Sequence, residues 1–378
     1  MIDYEFLRFA WWILVCVLLI GFAVTDGFDM GVLNLLPFTG KKEVEKRIMI
    51  NTIAPHWDGN QVWLLTAGGA MFAAWPTVYA TSFSGFFIAM ILVLAALFFR
   101  PVGFEYRAKI DSPTWRKAWD FGLFIGGFVP SLVFGVAFGN LLQGVPFEFN
   151  ELQQPQYTGT FFELLNPFAL LCGVISFTML TTHGANWLQM KTTAELRERA
   201  RTISQVGAFA TLIMFVFAGV WLFFKDGFVV TSVIDHNAPS NPIGKEVAVQ
   251  AGAWFNNYKE MPILWLFPVL AVGSALLNIV FSKANRCGFA FLFSALTMAG
   301  VILTATIAMF PFVLPSISNP GMSLLMWDAT SSKLTLTLMF FLALFFVVIL
   351  LSYTIWAYYK MFGRIDSSFI EENKNSLY

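Results

Sequence analysis

The chain has 378 residues, 57% of them hydrophobic and only 12% charged, with 23 basic against 23 acidic side chains and a mean hydropathy of +0.69. A soluble domain carries roughly 25% charged residues, so this composition belongs to a polytopic membrane protein. Zero net charge gives no electrostatic footprint for nucleic acid as a partner.

A spanning helix needs about 20 mostly apolar residues. Nine segments qualify: 9–36, 52–75, 79–99, 119–142, 163–183, 203–224, 262–281, 289–314 and 334–359. The first lacks a basic n-region and is long, which reads as a retained helix and not a cleaved signal peptide. The second is the weakest, because Pro55, His56, Asp58 and Asn60 crowd its start. Lys and Arg gather on cytoplasmic loops. The connections 37–51, 100–118, 184–202 and 282–288 and the tail hold 18 of the 23 basic residues, leaving Arg8, Lys225, Lys245, Lys259 and Lys333 for the other side. That alternation places the N-terminus outside and the C-terminus inside.

Span one carries Asp26 and Asp29, which share one helical face at i and i+3. Span two opens with His56, Trp57, Asp58, Asn60 and Gln61; Arg100 closes span three, and Glu105 follows it. Ionisable groups at membrane depth cost several kcal/mol unless they pair or meet water, so they mark function by default. All of these converge near the cytoplasmic side, as a proton or ion route would. The alternative is structural: Arg100 neutralises Asp29 or Asp58 and staples three helices, or snorkels to the headgroups.

Small residues fill the next stretches. Gly68-Gly69, the Gly122, Gly126 and Gly127 set, and the Gly135/Gly139 GxxxG read first as close helix packing, and second as an apolar passage for a small neutral molecule. His183 ends span five. A lone membrane histidine reads as a hydrogen-bonded helix packer, and neither the three histidines nor the scattered methionines give a haem or metal ligand set. Cys16, Cys172 and Cys287 lack CxxC spacing and read as small buried hydrophobes. In the long outer connection 225–261, Asp235 to Pro239 reads as a turn. Val247, Ala251, Trp254, Phe255 and Tyr258 then recur at the spacing of an amphipathic interfacial helix or docking surface. The Trp-Asp pairs at 119–120 and 327–328 fall at expected helix starts, where Asp caps and Trp favours the interface.

Thr25-Asp26-Gly27-Phe28-Asp29 and Thr182-His183-Gly184-Ala185-Asn186 lie four spans apart and read as an internal repeat. The expected fold is therefore all-α, with nine transmembrane helices arranged as two four-helix bundles plus one peripheral helix. The first bundle is 1–142, the second 143–333 with its long outer loop at 225–261, and 334–378 supplies the ninth helix and a cytoplasmic tail.

Longer strings add a resemblance. Gly21-Phe22-Ala23-Val24-Thr25-Asp26-Gly27-Phe28-Asp29-Met30-Gly31, Pro55-His56-Trp57-Asp58-Gly59-Asn60-Gln61-Val62-Trp63, Phe98-Phe99-Arg100-Pro101-Val102-Gly103-Phe104, Phe138 to Pro146, and Trp327-Asp328-Ala329-Thr330 resemble subunit II of cytochrome bd-type quinol oxidases, as does the terminal Ser376-Leu377-Tyr378. The resemblance implies a bacterial inner-membrane complex that oxidises quinol and reduces O₂ to water with cytoplasmic protons, building a proton motive force by vectorial chemistry. Two b-type haems, one d-type haem and the quinol site would lie in the partner subunit I, and none in this chain. Some members hold a quinone in this subunit as a structural element, and the resemblance leaves open small single-helix partner subunits. By matching position, Asp58 and Glu105 would lie on a cytoplasmic proton path. Asp26, Asp29, His56, Trp57 and Arg100 belong to the polar network, in which the resemblance matches Asp29, Trp57 and Arg100. Trp63 would flank an O₂ route. The competing class is a secondary transporter or ion channel, suggested by the repeat and the intramembrane charges.

Overall fold

The computed structural model describes residues 2–373 and 377–378, so Ser376 of the matched terminal string lies outside the described residues. The helices in chain order are α1 Tyr4–Thr39, α2 Glu43–Ile53, α3 Trp57–Ala74, α4 Pro76–Gly85, α5 Phe87–Tyr106, α6 Pro113–Gln143, α7 Pro167–Lys191, α8 Ala194–Phe223, α9 Asn256–Glu260, α10 Leu266–Lys283, α11 Cys287–Met309, α12 Lys333–Lys360 and α13 Ser367–Glu372. Their starts follow local chemistry. Asp3 accepts from the Tyr4 N–H at 2.8 Å, Asn166 from the Ala169 N–H at 2.9 Å, and Ser332 from the Thr335 N–H at 3.2 Å. These acceptors satisfy donors that the helix itself leaves free. Pro113 and Pro167 follow their caps at the first helical position, where a missing N–H costs nothing.

Eight helices among the described residues are long and apolar enough to cross a membrane: α1, α5, α6, α7, α8, α10 with the turn before it, α11 and α12. The expected second span becomes α3 alone, which is not among the eight. The expected third span is split, because α4 stops at Gly85 and α5 begins at Phe87 and runs on to Tyr106. Arg100 therefore sits inside α5 and does not close it, and Glu105 is helical. Asp26, Asp29 and His183 are likewise well inside α1 and α7.

Three two-stranded antiparallel hairpins gather beyond the other end of the helices: β1 Phe147–Phe149 with β2 Pro155–Tyr157, β3 Asp226–Val230 with β4 Val247–Ala251, and β5 Phe312–Leu314 with β6 Leu324–Leu325. The amphipathic helix expected from Val247 onward is thus half wrong. Val249 faces Phe228 and Val247 faces Val230 in a strand pair. The left-handed Gly252 (φ 68°) then breaks the direction, and a 3₁₀ turn at Ala253–Phe255 leads into a short α-helix at Asn256–Glu260. Cross-strand pairing of β-branched and aromatic residues outweighs the helical spacing there. The turn at His236–Asn237 forms as read, with Ala238 N–H bonded to Asp235 C=O at 3.2 Å. Neither later Trp-Asp pair caps a helix. Asp120 lies in the second turn of α6, and Asp328 sits in the loop before α12, paired with Lys245 at 2.7 Å. Burial raises the Asp328 carboxyl and lowers the Lys245 ammonium from their ordinary values, although each is the other's counter-ion.

α1 is the central post, buried along most of its length and packed against α3, α6, α7, α11 and α12. α12 is the opposite, exposed nearly throughout. The helices of the two expected bundles touch directly, α1 on α7. Gly31 and Gly184 make that approach possible, since a Cβ on Gly31 would stand 2.8 Å from the Gly184 Cα. Gly135 and Gly139 seat α6 on α7 in the same way, against Gly173 and Ala169. We expect Gly184→Val to force α1 from α7 and to cost about 1–3 kcal/mol, the usual range for overpacking. It would be read as a lowered Tm of the purified protein, and an unchanged Tm would contradict this account of the contact.

Candidate functional site

The site is built where α1, α3, α5, α6 and α12 meet. Arg100, wholly buried, reaches from α5 to α1 and donates to Asp26 Oδ1 at 2.7 Å. Its Nε donates to the Gly126 carbonyl of α6 at 3.0 Å. The ion pair therefore selects Asp26, not Asp29 or Asp58, and full burial excludes snorkelling of Arg100. One turn along α1, Asp29 Oδ2 accepts from Asn60 Nδ2 of α3 at 2.8 Å. Asn60 in turn accepts at Oδ1 from the Tyr358 hydroxyl of α12 at 2.5 Å. His56 lies buried beneath the same phenol, with ring centroids 4.5 Å apart and planes at 8°.

Four polar atoms of this region have no hydrogen-bond partner among the described residues: Asp26 Oδ2, Asp29 Oδ1, Arg100 Nη2 and Asn34 Oδ1. Asn34 sits one to two turns beyond Asp29 on α1 and donates to Ser131 of α6 and Thr181 of α7 at 3.2 and 3.1 Å. Buried polar atoms are otherwise nearly always satisfied. A cluster of four such orphans suits polar solvent more than apolar packing.

The remaining sequence candidates fall outside this centre. Asp58 lies in the first turn of α3 but points outward, exposed and without a hydrogen bond or ion pair among the described residues. Glu105 is exposed at the end of α5, and its carboxylate accepts from the Tyr378 phenol. Burial, followed by the Glu105 charge, raises that phenol above its ordinary range, so it stays protonated and donating. Asn51 holds the Tyr378 backbone at both N–H and C=O, at 3.1 and 2.8 Å. Trp57 is half-buried against Phe104, with centroids 5.8 Å apart. Trp63 is half-buried and packs flat on Gly21 of α1, where a side chain would have no room.

His183 uses both ring nitrogens, Nδ1 with Ser294 Oγ at 2.7 Å and Nε2 with the Val24 carbonyl at 3.0 Å. It packs helices, as its isolation suggested. Three positions on, Asn186 bonds Asn278 of α10 and Ser204 of α8. In the matched strings, Asp26 and Asp29 tie α1 to α5 and α3, while His183 and Asn186 tie α7 to α11, α10 and α8. The first set consists of carboxylates, the second of an imidazole and an amide.

Sequence reasoning missed Tyr358, Asn34 and Ser131. Asn34 stands out as an amide in an apolar span, whereas Tyr358 lies among aromatic residues that look like an ordinary interfacial belt. It also missed an ion group on the α2 side, where Arg107 holds Asp120 at 2.6 Å and Glu43 at 2.7 Å and Lys46 reaches Asp120 at 2.7 Å. Beside the polar centre lies a cavity of about 820 Å³, walled almost wholly by apolar side chains including Phe22, Leu64, Phe134, Met179 and Val301.

The family model for "Cytochrome bd terminal oxidase subunit II" matches residues 7–361. The chain is 77% identical over 378 residues to the "Probable cytochrome oxidase subunit 2" of Haemophilus influenzae, covering all of both chains. It is 61% identical over 379 residues to the "Cytochrome bd-I ubiquinol oxidase subunit 2" of Escherichia coli K12, again covering all of both. Among solved structures, the bd oxidase from Geobacillus thermodenitrificans superposes with a TM-score of 0.64 at 12% identity, over 95% of this chain and 99% of that one. That last likeness speaks for the fold alone.

Proposed function

The chain belongs to the cytochrome bd terminal oxidase subunit II family, and from that premise we propose how its geometry serves a quinol oxidase. It is the non-haem component of a quinol:O₂ oxidoreductase complex whose partner subunit carries the haems, and nothing in the comparisons favours the transporter reading. In our reading the partner holds two haems b and one haem d, and the complex sits in a bacterial inner membrane. This chain crosses it nine times as two four-helix bundles (1–142 and 143–333) plus a ninth helix and tail (334–378), with the basic end in the cytoplasm.

The observation that carries the reading is the character of α3. A helix of 18 residues runs among membrane-spanning neighbours and exposes Asp58, Gly59, Thr66 and Gly69 along one stripe with Val62, Leu65 and Phe72. An exposed carboxylate is costly against lipid, and the small residues in that stripe suit close packing by another helix. We assign this stripe to the haem-bearing partner, which places Asp58 at the junction of the subunits. Protons from the cytoplasm would reach that junction past Glu105 and Asp58. The buried Asp26, Asp29, Arg100 and Asn60 group would hold the water that carries them onward. Trp63, packed against Gly21 of α1 and next to the cavity-lining Leu64, would flank the O₂ route, since a non-polar gas partitions into apolar space. The cavity also has the size and lining for the tail of a structural quinone, the occupant that the resemblance left open.

The test is a reduced-minus-oxidised visible spectrum of the protein purified gently with its native partners. We expect haem b and haem d bands in a preparation that consumes O₂ with quinol. A stable, colourless, monodisperse polypeptide would overturn the reading.

A further inference from the structure

We propose that Tyr358, on the otherwise exposed α12, is a positioning residue for Asp29 that acts through the Asn60 amide. The inference rests on the reading of the buried cluster as a proton route. α12 presents apolar side chains almost everywhere, and a helix facing lipid has no need of an inward phenol. Yet near its end one ring turns in. Tyr358 stacks on His56 and meets Trp187 and Phe28 edge-on at 6.3 and 6.4 Å. Those contacts fix the ring, and the ring fixes its hydroxyl.

The hydroxyl donates to Asn60 Oδ1 at 2.5 Å. An amide has one accepting and one donating end, so occupying the carbonyl oxygen settles which end faces the other way. The Nδ2 group is thereby turned to Asp29 and donates to Oδ2 at 2.8 Å. A reversed amide would set its oxygen against a carboxylate oxygen, which is tolerable only when a proton lies between them. The phenol thus decides which proton state of Asp29 the amide welcomes. Asp29 keeps a second oxygen, Oδ1, without a partner among the described residues, which leaves it open to a proton from elsewhere. The other charged or titratable groups around this trio are Asp26 on α1, Arg100 on α5, and His56 at the head of α3, which senses Lys191 of α7.

The experiment uses the intact oxidase with its partner subunit. Tyr358→Phe keeps the ring and its stacking and removes only the hydroxyl. We expect quinol-dependent O₂ consumption to fall about tenfold, the size typical for loss of an orienting group. The quinol KM and haem content should hold, and the pH profile of turnover should be displaced. Asp29→Asn should lower turnover at least as far, and the double variant should do no worse than Asp29→Asn, because both act at one point. If Asp29→Asn is silent, the proton-route reading of Asp29 fails, and the role of Tyr358 with it. If Asp29→Asn lowers turnover while Tyr358→Phe keeps wild-type turnover and pH profile, the route stands and the positioning role is overturned. Asn60→Leu breaks the same bridge without touching the stack. Loss of haem in both Tyr358→Phe and Asn60→Leu would reduce the trio to a structural staple and overturn the proposal.

Discussion

Arg100→Leu is expected to prevent assembly, leaving membranes with little subunit and no haem signal from the complex. Both partners of the Arg100–Asp26 pair are fully buried and only 2.7 Å apart. Removing one partner of such a pair leaves an uncompensated buried charge and costs about 3–5 kcal/mol. Asp26 Oδ2 has no partner among the described residues, so no second protein donor there replaces the guanidinium for the abandoned carboxylate. Replacing both members with apolar residues of similar volume is often neutral or stabilising. Arg100→Met with Asp26→Leu should therefore restore haem content where Arg100→Leu alone does not. Haem absorbance per unit of membrane protein measures both. Wild-type haem in Arg100→Leu would mean that the pair is not the brace described here. If the double variant assembles, its turnover then separates the two roles of the cluster: a brace alone would run at full rate, whereas a proton route needs the titrating acid.

The sequence exposed the acid side of this cluster and hid its connections. Asp26, Asp29 and Arg100 were legible because charge in an apolar span is rare and costly, and the choice of partner was not. Asp26 and Asp29 differ by one helical turn, and the choice follows from where the Arg100 side chain is seated, its stem against Gly126 of α6 and its Nε on the Gly126 carbonyl. Spans were readable from hydropathy, but their ends were not. Pro76 divides α3 from α4 at Trp75, and a mean over 20 residues passes over the break. The hairpin at Val247 was missed because its apolar residues satisfy a helical spacing and a strand pairing equally well, and the choice lies with the partner strand Asp226–Val230. Tyr358 was beyond sequence reach for a related reason. Its contact with Asn60 spans 298 positions, and a phenol at a helix end carries no sign of which way it turns. The strings at 25–29 and 182–186 each tie their helix to others through buried polar groups.

Asp58→Asn should give the clearest separation of chemistry from structure. Within this chain the Asp58 carboxylate is exposed and holds no partner among the described residues, so no buried contact is lost when it becomes an amide. Its one structural contribution is an acid in the first turn of α3, worth about 0.3–1 kcal/mol against the helix dipole. An amide keeps the shape and most of the capping capacity. The subunit should fold and the haem bands should stay at wild-type height. Turnover is another matter, because positioned proton transfer contributes typically 10²–10⁴-fold, and an amide cannot take up and release a proton at working pH. Quinol-dependent O₂ consumption is therefore expected to fall about a hundredfold, the lower end of that range, with normal haem content. The loss should be insensitive to quinol concentration, since the resemblance implies a quinol site in the partner subunit. Haem loss in this variant could not come from the interior of the chain, and would mean that Asp58 fastens the α3 face to its partner. Full turnover with full haem content would remove Asp58 from the route, leaving Glu105 and its Tyr378 contact to reach the buried cluster by another way.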